Sequence, residues 1–455
     1  MTWLQRYRLR HFVRNSIWIA PVVGMAVTLA AVRGLAWFDH EMGWDRGQDP
    51  DAARAVLGTL AASMFTFIVF VSSALLVVFQ LASAQLSPRV IGIVFRDPVT
   101  RGALTVFVVT FTATLAVLVR ITTTVPMLTA QLTAYGCLVS LGAFLYLIDH
   151  VGRQLRPSGI LRAVGRLGRG VIDAVYPRPV GAAPAGPLTP APGADGKPPV
   201  VVPSPGDGVV QAFDVRGLAA LAERADCVVE LVPQVGDAVA EGDPLFRVTG
   251  GGAAGVVAAL HQSVALGQER TVEQDPRFVF RILVDIAAKG LSPAINDPTT
   301  AVLAIDQVHR LLRVVGNRWL DEGQVRDAAG RVRLVYRTPD WEDFVQLAVT
   351  EIRQFGGSSI QVARRLRAML LNLTQTLPAD RVEPLRRELK VLHDTAQRTF
   401  FEPEDRVLAD VGDAQGVGAS HGSGPRAGSP DAGSRPVPQA ASSPACAAVI
   451  HRRAP

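Results

Sequence analysis

Uncharged stretches alternate with short arginine clusters through the first third of the chain. Residues 15–32, 55–88, 102–119 and 121–148 contain no Asp, Glu, Lys or Arg. A bilayer core about 30 Å thick needs roughly 20 apolar helical residues, and 18 or more without charge mark a candidate span. The pattern predicts four transmembrane helices over residues 1–150, the second long enough to tilt or to project beyond the lipid. Another uncharged run, 248–268, holds Gly250-Gly251-Gly252 and His261-Gln262 and reads as a glycine loop.

After the fourth run the period changes. Residues 151–199 begin with arginines and continue as PRPVGAAPAGPLTPAPGADGKPP over 177–199, a density of Pro and Gly that predicts a linker. Residues 200–250 read as a small β module. Within it, Val228 to Leu245 carries two Gly-Asp turns, Gly236-Asp237 and Gly242-Asp243, and looks like the half-barrel turns of biotinyl/lipoyl-type domains. The modified lysine of those domains has no counterpart, since Lys197 lies outside the unit, so a structural module is expected. Residues 251–410 read as a helical domain. Helices are predicted at 276–289, from Pro298 to about 315, and at 341–355, 358–376 and 378–400, with a strand at 331–337. Asn296-Asp297-Pro298 and Asp340 supply the start signals, and Gly356-Gly357 a stop. Residues 411–455 collapse to Gly, Ser, Ala and Pro and are expected to be disordered.

Composition adds the class. The chain has 49% hydrophobic and 19% charged residues, against about 25% charged on average, and this excludes a wholly disordered protein. The net charge is +6, and the positive residues fall in short runs, so no nucleic-acid partner is expected. Arg6, Arg8, Arg10 and Arg14 precede the first span. Arg89, Arg96 and Arg101 lie between the second and third, and Arg153, Arg156, Arg162, Arg166 and Arg169 follow the fourth. The loop after the first span carries Asp39, Glu41, Asp45, Asp49 and Asp51. Arginine bias therefore predicts a multi-pass plasma-membrane protein with both termini cytoplasmic. Arg33, Arg54 and Arg120 flank spans on the outer side, where they are expected to reach the headgroups. Cys137, Cys227 and Cys446 are far apart, which excludes a CxxC metal site. The fold class is thus an α-helical membrane domain of four transmembrane helices plus a cytoplasmic α+β region, made of a small β half-barrel-like module and a helical domain.

Two sets of residues carry candidate function. In the second span, Ser63, Thr66, Ser73, Gln80, Ser83 and Ser87 fall on one helical stripe. Polar groups in hydrocarbon face protein or water, so the stripe is read as a helix interface or as a water-lined path. Downstream, Arg270, Glu273, Asp275, Asp285, Asn296 and Asp297 form a polar block, read as an ordered structural loop or as a ligand pocket. Asp297 is explained as a helix cap, Asp285 as an ion pair with Arg281, and Asp306 as one with Arg310. The pair Asp306 and His309 is also at metal-ligand spacing, but the ion-pair reading is preferred and no metal is expected. Walker, GxSxG and HExxH motifs are absent from the sequence. No catalytic residue and no cofactor is assigned, and enzymatic activity is not expected.

Two blocks carry a resemblance. QLASAQLSPRVIGIVFRDP, residues 80–98, and RTVEQDPRFVFRILVDIAAKGLSPAINDPTTAVLAID, residues 270–306, resemble a bacterial family of predicted membrane proteins of unknown function, domain of unknown function 2254, over about residues 10–400. The resemblance implies an integral membrane location and assigns no catalytic residues. The expected partners are the lipid bilayer and further copies of the chain, with no ligand identified. The expected function is an oligomeric channel, or a regulator of a solute or ion path, through the second helix. The competing expectation is a membrane-anchored cytoplasmic sensor or scaffold.

Overall fold

The computed structural model describes residues 2–44, 49–85, 89, 97–122, 124–154, 156–181, 198–250, 255–320 and 323–418. All of them belong to one compact unit, 1–420. Ser87 and most of the 80–98 block lie outside the described residues, as do 182–197 of the Pro-rich stretch and 419–455 of the tail.

A short cationic helix, α1 (Trp3–Asn15), precedes four helices long and apolar enough to cross a membrane: α2 (Ile19–Glu41), α3 (Pro50–Gln85), α4 (Pro98–Leu118) and α5 (Met127–Gln154). Helix α4 is the central one. It contacts the other three, and 39% of its span is buried, against 11% for that of α2. Its start is set by Asp97, whose carboxylate accepts from the Thr100 N–H at 2.9 Å, followed by Pro98 at the first helical position. Helix α2 approaches it at Gly24, where a Cβ would lie 2.8 Å from Val109 Cγ2. Small residues permit this kind of approach where lipid supplies no hydrophobic drive.

Polar contacts inside the four-helix group join α4 to α5. Ser140 Oγ donates to Thr110 Oγ1 at 2.9 Å, and Thr114 lies beside Cys137. Asp39, expected in the outer acidic loop, sits instead inside α2 and is fully buried. Its carboxylate caps α5, accepting from the N–H groups of Leu128 and Thr129 and from the Thr129 hydroxyl. Arg54, expected to reach the headgroups, donates to the Ile121 and Thr122 carbonyls, both at 2.9 Å. Both carbonyls belong to the connection between α4 and α5.

The segment after α5 corrects the expectation of a linker over 151–199. Residues Pro157–Val175 form α6, whose Ile160, Leu161, Val164, Val171 and Ile172 are buried in the helical core. Their spacing is amphipathic, and Gly165 and Gly168 let neighbouring helices close in: a Cβ on Gly168 would lie 2.6 Å from Val279 Cγ1. The remaining helices are α7 (Val215–Arg224), α8 (Val257–His261), α9 (Pro276–Gly290), α10 (Pro298–Gly316), α11 (Trp341–Gly356), α12 (Ile360–Thr376), α13 (Val382–Thr399) and α14 (Pro403–Ala409). Helices α6, α9, α10, α11, α12 and α13 share one core, in which α9 buries residues on nearly every side. Each fully buried Leu, Ile or Phe there contributes about 1.5–3 kcal/mol.

The strands are β1 (Val200–Pro203), β2 (Gly208–Phe213), β3 (Cys227–Leu231), β4 (Ala238–Val239), β5 (Pro244–Gly250), β6 (Val264–Gly267), β7 (Gln324–Arg326) and β8 (Val332–Tyr336). They form a five-stranded sheet, β1-β5-β3-β8-β7, and a three-stranded sheet, β4-β2-β6. The larger sheet is not complete within 200–250. Its β8 pairs parallel with β3, Val229 opposite Leu334, and comes from inside the helical stretch. The two Gly-Asp turns are built alike. Gly236 and Gly242 take φ of +94° and +88°, and Asp237 and Asp243 each accept a backbone N–H three residues back at 2.8 Å. Glycine is suited to that left-handed conformation.

The expectation of disorder from 411 onward needs a second boundary. Residues 411–418 are docked: Asp413 is fully buried, and buried Arg364 donates from Nε to the Val411 carbonyl and from Nη1 to that of Gly418. Composition hides this because backbone carbonyls make the attachment.

Candidate functional site

The polar stripe of the second span lies on the outside of the four-helix group. Helix α3 packs inward through Leu57, Ala61, Met64, Val71 and Leu75, while Ser63, Thr66, Ser73 and Gln80 are exposed. Thr59, missed in the sequence, extends the row: Thr59, Thr66, Ser73 and Gln80 recur every seven residues. At 100° per residue this row stands about 200° around the helix from the Leu57–Met64–Val71 seam. The Ser63 and Thr66 hydroxyls each donate to the carbonyl four residues back at 2.9 Å, so they are satisfied without a neighbour. Ser83 lies within α3, but its side chain and all of Ser87 fall outside the described residues.

The downstream polar block does not converge on one point. Arg270, Glu273 and Asp275 stand at the start of α9 and Asp285 in its second half, whereas Asn296 and Asp297 stand at the start of α10, beyond the far end of α9. Asp297 caps α10 through the Thr300 N–H and hydroxyl, and Asn296 takes the left-handed φ of +48° just before it. Asp275 is buried, caps α9 through the Phe278 N–H, and accepts from Arg270 Nε at 2.8 Å. Burial pushes its carboxyl above the ordinary 3.8, against the lowering pull of Arg270 and Arg277. Gly236 makes room for this pair, since a Cβ there would lie 2.3 Å from the Arg270 guanidinium. Glu273 reaches across to His11 of α1 at 3.4 Å.

Asp285 is where the two sequence blocks meet. It accepts from Arg281 Nε at 2.7 Å, as its spacing predicts, and it also pairs with Arg89, just beyond α3. Arg281 in turn makes a bidentate contact with Glu351 of α11 at 2.5 and 2.6 Å, a partner absent from the local pattern. Arg89 and Arg270 both stand over the Phe278 ring, at 6.0 and 5.8 Å. Arg89, beyond the C-terminal end of α3, is thereby tied to α9 and, through Arg281, to α11. Two cations and two carboxylates balance there, an arrangement suited to mechanical coupling.

Glu351 gives the network a pH signature. The hydrogen bond from Arg281 holds its carboxyl below the ordinary 4.5. A depressed folded-state value contributes stability above 4.5 that is lost as pH falls through the folded value. Glu351→Gln is therefore expected to lower the melting temperature at neutral pH, with the gap to wild type closing under acid conditions. A gap that stays constant down to acid unfolding would contradict this.

Asp306 and His309 are placed differently from the sequence expectation. Asp306 pairs with Arg365 of α12 at 2.8 Å, not with Arg310, because α10 and α12 pack face to face. Arg365 Nη2 lies 3.2 Å from His309 Nδ1, which must accept, so Nε2 carries the hydrogen and donates to Asn372 Oδ1 at 2.9 Å. Burial lowers the His309 pKa and keeps the ring neutral. No cluster of three or more His, Cys, Asp or Glu side chains suited to a metal occurs among the described residues.

An uncharacterized protein of Mycobacterium bovis is 28% identical over 426 residues, covering 89% of this chain and 80% of the relative. An uncharacterized protein of Mycobacterium tuberculosis matches with the same identity and coverage. No solved structure matches. The family model described as predicted membrane protein, DUF2254, matches residues 14–372, and the chain belongs to that family.

Proposed function

We propose that the protein is an oligomer of the plasma membrane, with both termini in the cytoplasm, whose copies meet along the exposed polar row of α3. This contact would form or regulate a solute or ion path. The observation that carries the reading is the heptad row Thr59, Thr66, Ser73 and Gln80, exposed on the side of α3 away from its own bundle. Facing lipid, the Gln80 amide would lack the several partners it needs, whereas a second copy or water supplies them. The reading contains no catalytic step. The twin Gly-Asp turns support treating the half-barrel-like stretch as a structural module and not as a cofactor carrier.

The Arg89–Asp285 junction supports a second reading, a membrane-anchored sensor or scaffold whose cytoplasmic region acts through α3. Flux through proteoliposomes separates the two. For a path, wild-type protein conducts, and the Ser73→Leu/Gln80→Leu double variant falls to near the rate of empty liposomes while remaining oligomeric. Absence of flux from oligomeric wild-type protein under all ionic conditions would favour the sensor.

A further inference from the structure

We infer that the groove between α1 and α6 binds the phosphate-bearing headgroup of an anionic phospholipid. The groove encloses about 740 Å³, within the range of small-molecule sites. Arg6, Arg10 and Arg14 line it from α1, spaced four apart so that they share a face, and Arg166 enters from α6. None of these four guanidinium groups has a carboxylate partner among the described residues. The carboxylate lining the groove is Glu273, which already faces His11 at 3.4 Å. Four cations held around one groove repel each other, and an anion removes that cost. Leu167, Val171 and Val272 add apolar lining. Charge at the rim with apolar lining suits an amphiphile better than a free ion.

Position points to lipid. Helix α1 ends at Asn15, just before α2 begins at Ile19, and α6 begins at Pro157, just after α5 ends at Gln154. The walls are therefore the two segments that leave the outermost spans of the membrane domain. The His11–Glu273 contact places α1 on the same side as the domain after α5, as an even number of crossings requires. Basic pockets beside transmembrane helices are a recurrent phospholipid site. Arg6 and Arg14 are about 12 Å apart along the helix, more than one phosphate spans, so a headgroup with two phosphates fits best. The cationic surface continues across α6: Arg166 also lines a second cavity of about 570 Å³, with Arg162, Arg169, Arg310 and Arg313. The inference rests on membrane insertion alone and not on the α3 contact.

The test uses the full chain in phosphatidylcholine nanodiscs with and without cardiolipin, with bound lipid measured by native mass spectrometry and melting. Inorganic pyrophosphate serves as the soluble probe. Cardiolipin is expected to bind and to raise the melting temperature of wild-type protein. Arg6→Gln/Arg10→Gln should bind it about thirtyfold more weakly, at roughly fivefold per basic residue near an anionic surface. Arg8→Gln/Arg156→Gln removes the same charge outside the groove and should cost far less. The melting temperatures of both variants in phosphatidylcholine alone report folding separately from binding. Equal losses in the two variants would reduce the effect to diffuse attraction and overturn the site. A pyrophosphate shift as large as that of cardiolipin, lost in the groove variant, would assign a soluble phosphate ligand and overturn the lipid.

Discussion

Ending the chain after Asp410 is expected to lower the melting temperature by about 10 °C, whereas ending it after Ser420 leaves it unchanged. Both truncations remove the Gly-, Ser- and Pro-rich tail. The shorter one also removes the segment that satisfies Arg364, a fully buried arginine on α12 whose Nη1 donates to the Gly418 carbonyl at 2.7 Å. Asp413 holds that segment in shape by accepting the backbone N–H groups of Gln415, Gly416 and Gly418. Gln361 adds a hydrogen bond to the Gly416 carbonyl at 2.7 Å. Stripping partners from a buried charge costs about 3–5 kcal/mol, and each kcal/mol moves the melting temperature of a domain this size by about 2–4 °C. Melts of both truncations in one detergent check this. Equal melting temperatures would show that the docked segment adds nothing.

Asp39→Ala is the second large effect, and it acts in the membrane domain. The carboxylate is fully buried and accepts from Leu128 N–H at 3.2 Å, Thr129 N–H at 3.0 Å and the Thr129 hydroxyl at 2.6 Å. Alanine leaves those donors without an acceptor and removes the cap of α5. Each orphaned buried donor costs about 1–3 kcal/mol, so a loss of about 3 kcal/mol or more is expected. Asp39→Asn keeps one acceptor oxygen and should lose less. Unfolding of the two variants in mixed micelles measures the difference. An alanine variant within about 0.5 kcal/mol of wild type, the range of an ordinary surface change, would contradict the cap.

The parts of the fold that were legible in the sequence are those set by local chemistry. The four spans follow from runs without charge, and the starts of α10 and α11 follow from Asp297-Pro298 and Asp340, whereas Asp275, read only as part of a polar block, proves to cap α9 in the same way. Helix α6 was obscured by its own sequence, because arginines fill its exposed face and Gly165 and Gly168 interrupt the apolar stripe. Those glycines are there for close packing, which only the neighbouring helices reveal. Pairing between distant segments was not legible either. Nothing near β3 announces β8, about a hundred residues on, as its parallel neighbour. Asp306 had a partner of opposite charge one helical turn away in Arg310, yet tertiary packing gives it Arg365. The stripe on α3 was readable as a stripe, but its direction was not, since periodicity fixes which residues share a face and not what that face meets.

The central claim, that copies meet along that face, is tested most directly by cysteine cross-linking in membranes. Single cysteines are placed through residues 57–80 in a background with Cys137, Cys227 and Cys446 replaced by alanine. The account predicts disulfide-linked dimers that peak at Thr59→Cys, Thr66→Cys, Ser73→Cys and Gln80→Cys and vanish at Leu57→Cys, Met64→Cys and Val71→Cys. Cross-linking that shows no seven-residue period along α3, or that appears only from the exposed faces of α2 or α5, would contradict it.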